Sequence, residues 1–125
     1  MVRDGAGNLY GTTGFGGDLS CFAPYGCGVV FKLDSAGHET VLYSFQGQPD
    51  GWNPIAGLVR DPAGNFYGTI LRGGAYGAGT VFELDTTGKE TVLYSFTGGS
   101  DGASPYAGLI RDSSNNLYGT AVGGG

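Results

Sequence analysis

The chain has 125 residues, a formal net charge of −5 and only six Lys and Arg, scattered singly. Without a basic stripe to neutralise phosphates, the composition argues against nucleic acid as a partner. No apolar run approaches the roughly 20 residues of a spanning helix, and no charged segment followed by an apolar core marks an export signal.

Residues 1–12, Met-Val-Arg-Asp-Gly-Ala-Gly-Asn-Leu-Tyr-Gly-Thr, read as a short strand, a turn built on Asp and Gly, and a second strand. The same brick returns at 58–69 and again at 109–120, so the chain is a tandem array. Sliding the chain by 51 residues matches 28–69 to 79–120 without a gap, with 26 of 42 pairs identical. The earlier offset, from Asp4 to Asp61, is 57, so the first unit carries six extra residues. They fall between Gly17 and Gly28, around Cys21 and Cys27. That spacing predicts a local disulfide, as in an oxidising compartment, with a pair of free thiols as the alternative.

Each unit holds four strand-like runs, at 56–60, 66–71, 80–84 and 91–96 in the best-defined copy. The first and second runs are joined by Asp61-Pro-Ala-Gly-Asn65, the third and fourth by Asp85-Thr-Thr-Gly88, both with tight-turn chemistry. Longer loops rich in Gly and Ser make the other connections. In an up-and-down sheet the tight turns therefore share one edge of the array and the long loops the other. Gly at 27 residues, without a Gly-X-Y period and beside 13% aromatics, fits this many turns better than collagen or disorder.

Strict alternation predicts Val92, Tyr94 and Phe96 on one face with Leu93 opposite, and Phe82 and Leu84 opposite Val81. Both faces are thus apolar, and each sheet is expected to lie between neighbours. Four short antiparallel strands in about 50 residues, stacked face to face, predict an all-β fold of β-propeller blades, with a linear β-solenoid as the alternative. One array fills 1–125: a partial blade at 1–45 with the six-residue insertion, a full blade at 55–96 and a half blade at 106–122. About two and a half repeats predict an open fragment of a longer reading frame, or closure by self-association that hides the sheet edges.

The recurring Asp4, Asp61, Asp112, Asp34 and Asp85 open tight turns, where a carboxylate accepts backbone N–H groups. Asp50 and Asp101, in the long loops, are weak calcium candidates, since each loop brings one carboxylate where calcium takes six to eight oxygens. Arg3, Arg60 and Arg111 recur in the innermost run, positioned to meet an anion, a neighbouring carboxylate or an aromatic face. His38 gives way to Lys89 in the next unit and is expected in solvent. No zinc spacing, nucleophile elbow or phosphate loop is present, so neither catalytic residues nor a cofactor are expected.

Recognition is sought where the units differ. On the long-loop edge these positions are Phe15, Phe22 and Tyr25 around the insertion, Trp52 and Asn53 where the next unit has Ala103 and Ser104, and Tyr76. Aromatic side chains on loops beside a rigid sheet suit a carbohydrate or protein surface, and serve equally as loop anchors.

Gly-Thr-Val-Phe-Glu-Leu-Asp (79–85), Glu-Thr-Val-Leu-Tyr-Ser-Phe (90–96), Ser-Asp-Gly-Ala-Ser-Pro (100–105) and Asn-Leu-Tyr-Gly-Thr (116–120) together resemble the GloVer tandem-repeat family. The resemblance implies a secreted or surface-anchored bacterial protein of many such repeats, anchored by a separate C-terminal signal, with no defined activity. The first run and the following Gly-Asn-Phe-Tyr also look like propellers of the NHL and SMP-30 type. The expected role is a non-catalytic extracellular module for binding or surface display. The alternatives are a purely structural spacer and a fragment of a propeller lyase or glycosidase acting on extracellular polysaccharide, whose two carboxyl groups only a closed ring would bring together.

Overall fold

The computed structural model describes residues 2–21 and 23–125. They form ten strands and no helix: β1 (Val2–Arg3), β2 (Leu9–Thr13), β3 (Val29–Leu33), β4 (Glu39–Ser44), β5 (Val59–Arg60), β6 (Phe66–Ile70), β7 (Thr80–Leu84), β8 (Glu90–Ser95), β9 (Ile110–Arg111) and β10 (Leu117–Tyr118). Two four-stranded antiparallel sheets, β1-β2-β3-β4 and β5-β6-β7-β8, are followed by the β9-β10 pair. Every neighbour in a sheet is also a neighbour in sequence, so the tight turns and long loops do separate to opposite edges.

The tight turns fold for a local reason. In Asp61–Asn65 the Gly64 N–H donates to the Asp61 carbonyl at 3.0 Å, and Asp61 N–H to the Asn65 carbonyl at 3.0 Å. Gly64 sits at φ +94°, a conformation that costs glycine no Cβ clash. The Asp61 carboxylate closes the turn by accepting from Asn65 N–H, Asn65 Nδ2 and the Tyr67 hydroxyl. Asp4 with Asn8 and Tyr10, and Asp112 with Asn116 and Tyr118, repeat this cage. The recurrent Asp, Asn and Tyr of the motif are thus one hydrogen-bonded unit that joins a turn to the strand after it. Asp34 and Asp85 play the simpler part in the β3–β4 and β7–β8 turns, each accepting two backbone N–H groups.

The two large sheets pack face to face. Between them lie Cys27, Val30 and Phe45 from the first unit and Leu58, Phe66, Ile70, Phe82 and Leu84 from the second, all buried. Phe45 meets Phe82 edge-on at 5.1 Å between ring centroids, and Tyr10 lies 4.5 Å from Phe66. Polar bonds stitch the same seam: Thr12 Oγ1 donates to the Ala56 carbonyl at 2.9 Å, and Thr80 Oγ1 to the Asp50 carbonyl at 3.0 Å. All five residues of β6 are buried, as expected of a strand covered on both faces.

Two expectations about the strands are corrected. The run at 56–60 contributes only Val59–Arg60 to the ladder, and the Ala56 carbonyl instead accepts the Thr12 hydroxyl of the preceding unit. The predicted alternation in 91–96 also fails, since the register shifts between Val81 and Phe82. Val92 pairs with Phe82 while Tyr94 pairs with Val81, so Val92 and Tyr94 face opposite ways and Leu93 is the extra, bulged residue. The first unit carries the same irregularity at Val30/Phe31. The bulge turns Tyr43 and Phe45 together towards the next sheet, where they contact each other at 5.2 Å.

Candidate binding site

The long-loop edge was the place to look for recognition, and its residues do not form one site. Phe22 lies outside the described residues. Tyr25 is 59% exposed and its ring stands 5.9 Å from that of Phe15, while its carbonyl accepts Gly16 N–H at 2.7 Å. This fixes an aromatic pair on the outer surface of the insertion. Behind it Cys21 and Cys27 are joined as a disulfide, with Cα atoms 5.5 Å apart. Trp52 is half-buried against the core and borders a shallow cleft with both cysteines, Gln46 and Gln48. Its backbone pairs with Arg72, which makes it in part an anchor.

Asn53 is structural: at φ +68° it donates N–H to the Cys27 carbonyl and accepts Leu71 N–H, tying three loops together. Ser104, its counterpart in the next unit, has φ +54° and donates to Ala78. Tyr76 is 65% exposed on the corresponding loop of the second unit. The predicted loop aromatics therefore split into the Phe15–Tyr25 pair on one unit and Tyr76 on the next, and Tyr94, Tyr106 and Tyr118 are exposed as well.

The acidic candidates are occupied by local donors. Asp50, 2% exposed, accepts the Tyr43 hydroxyl at 2.6 Å and Gln46 N–H at 3.2 Å. Asp101 accepts the Thr97 hydroxyl, the Tyr94 hydroxyl and Thr97 N–H, and the Thr97 and Tyr94 bonds lower its pKa to about 2. Donation from the Asn8 side chain likewise holds Asp4 well below the usual carboxylate range. Among the described residues no three His, Cys, Asp or Glu converge as metal ligands. His38 is solvated, 3.4 Å from the Asp34 carboxylate. None of the three Arg makes an ion pair among the described residues, and Arg111 donates instead to the Asp112 carbonyl and Asn115 Oδ1.

One carboxyl group is under strain. Glu90 points from β8 into the seam, with Oε2 buried and no donor in reach among the described residues. Burial first, and the neighbouring Asp50 second, raise its pKa from 4.5 to about 7. Below pH 4.5 the group is protonated in both folded and unfolded chains and adds no pH dependence. Between 4.5 and 7 the unfolded chain ionises while the folded one holds its proton, so stability falls as pH rises. Glu90→Gln is therefore expected to stabilise the fold at pH 8 by about 1 kcal/mol, a figure discounted for partial solvent access, and to change nothing at pH 4. Urea denaturation of both proteins at the two pH values checks this.

An all-β array of stacked, self-capping units with loop aromatics defines a tandem-repeat protein. The chain belongs to the Gloeobacter/Verrucomicrobia repeat family, which it matches over residues 1–125 and whose motifs it was seen to resemble. No curated protein and no solved structure matches it. No helix of the described residues is long and apolar enough to cross a membrane.

One group of polar residues was missed from sequence. Lys32, Arg60 and Asp85 border a cleft of about 360 Å³ between the first two units, on the tight-turn edge. The signal was available: Lys32 stands where the next unit has Glu83, and Gly64 where it has Asn115.

Proposed function

We propose that the chain is part of an extracellular β-propeller that acts as a non-catalytic binding or surface-display module. The face-to-face stacking of four-stranded antiparallel units supports the propeller reading. Membership of a bacterial repeat family and a disulfide in the insertion support an oxidising, extracellular setting.

The observation that carries the binding role is the contrast between carboxylates and aromatics. The recurring Asp side chains are engaged by donors of their own turns, whereas Tyr25 and Tyr76 stand more than half exposed on loops backed by sheet. Tyr25, Trp52 and Tyr76 are the proposed contacts, on separate loops of one edge, with Asn53 holding the loops and the aromatics offering surface to a carbohydrate or protein. Retention of the full-length protein on a glycan or matrix-protein array is expected, with loss in a Tyr25→Ala/Tyr76→Ala variant. Complete lack of retention by the full-length protein would sink the reading.

A further inference from the structure

The two seams of the array offer an internal comparison. At the second, a chain of hydrogen bonds closes the tight-turn edge: Arg111 donates to Asn115 Oδ1 at 3.4 Å, and Asn115 Nδ2 to the Tyr67 hydroxyl at 3.3 Å. Tyr67 in turn donates to Asp61 at 2.8 Å and lies 3.1 Å from Glu83. At the first seam the same repeat positions hold Arg60, Gly64, Tyr10, Asp4 and Lys32. Gly64 has no side chain to bridge, and Lys32 cannot accept from Tyr10, whose hydroxyl donates only to Asp4 at 2.9 Å. At this edge the first seam therefore stays open as a cleft of about 360 Å³, whereas the second seam's cavity of similar volume lies away from its tight turns, against Thr69, Val81, Leu109 and Leu117.

Its lining is chemically mixed. Neither the Arg60 nor the Lys32 side chain makes a hydrogen bond or ion pair among the described residues. A Cβ on Gly64 would lie 3.6 Å from an Arg60 guanidinium nitrogen, so that cation hangs over the place the bridging side chain fills at the other seam. Asp85 borders the cleft and accepts three local donors, all through Oδ1. Leu42, Phe66 and Leu84 form an apolar floor. Two cations suit one carboxylate, an acceptor beside them suits a hydroxyl, and the floor suits the C–H face of a ring. A dianion without hydroxyls would gain from the cations but meet Asp85 unfavourably. The volume sits at the lower end of small-molecule sites, about 300–1,000 Å³, and matches one or two sugar rings.

We propose that this cleft binds a hydroxylated carboxylate of monosaccharide size, a hexuronate, with Lys32 and Arg60 holding the carboxylate and Asp85 accepting a hydroxyl. The proposal deepens the binding-module reading but uses the tight-turn edge, away from the loop aromatics.

The test is a titration of the ¹⁵N-labelled chain with glucuronate, galacturonate, glucose, acetate and tetragalacturonate. Glucuronate, galacturonate or the tetramer is expected to shift the amides of residues 60–66 and 85–89 with a Kd at least tenfold below those of glucose and acetate. The comparison of galacturonate with tetragalacturonate identifies the source as a free sugar acid or a residue within a polysaccharide. Lys32→Glu/Gly64→Asn, which copies the bridged tight-turn edge of the second seam, is expected to weaken binding at least tenfold. Because Thr86 Cγ2 lies 3.3 Å from the new Cβ, Arg60→Gln, at an exposed position, serves as a second variant with the same expected loss. Acetate acting as strongly as the tightest-binding uronate, no shift with any uronate, or shifts that survive both variants overturns the proposal. Array retention that depends on Tyr25 and Tyr76 would in that event leave the module reading standing.

Discussion

Phe82→Ala is expected to cost about 3–5 kcal/mol of folding stability, the range for deleting a fully enclosed Phe from a core. Phe82 is 0% exposed, and its ring is held edge-on by Phe45, itself 0% exposed, so no neighbour is free to collapse into the space. The comparison that gives this force is Phe31, which stands at the same repeat position in the first unit but faces away from the second and is only half-buried. Phe31→Ala should cost less than half as much. Equilibrium denaturation of the two variants measures both. Equal losses would show that stability resides within single sheets and not in the seam.

Gly79→Ala comes next, at about 2–4 kcal/mol. Gly79 has φ +103°, and a Cβ there would stand 2.6 Å from both the Ile70 carbonyl oxygen and Pro105 Cδ. One of these is backbone of the neighbouring strand and the other belongs to a buried proline, so neither can move aside cheaply. Gly88→Ala provides the control: its φ is +88° but nothing lies within 4 Å, so only the backbone term of about 1 kcal/mol should remain. A thermal-melt series on the three proteins separates steric cost from conformational cost.

Much of the architecture was legible because it is written three times. The 51-residue period located the units, and the Asp-to-Gly spacing placed the hairpins, since those turns are decided by residues four apart in sequence. The strand faces were less accessible. A bulge at Leu42 and Leu93 leaves no mark in composition, because both halves of 91–96 are apolar whichever way they point. The short first strand was hidden for another reason: Ala56 meets its partner, a hydroxyl 44 residues away, outside its own sheet ladder. The cleft depended on the same kind of distance. Lys32 and Arg60 come from different units and meet only once the sheets are stacked.

The carboxylate cages have a consequence for how such arrays grow. Asp4, Asp61 and Asp112 each draw their cage donors from the six residues that follow, so a unit's turn is complete without its neighbours. What crosses the seams is mainly apolar surface, with hydroxyl donors at Thr12 and Thr80 and, at the second seam, the Asn115 amide on Tyr67. The turn of each unit therefore folds on its own residues, and what one unit asks of the next is chiefly a matching hydrocarbon face. Adding a unit leaves the turn chemistry intact, while a change of one or two residues at a single junction, such as Gly64 against Asn115, alters the polar contacts there alone.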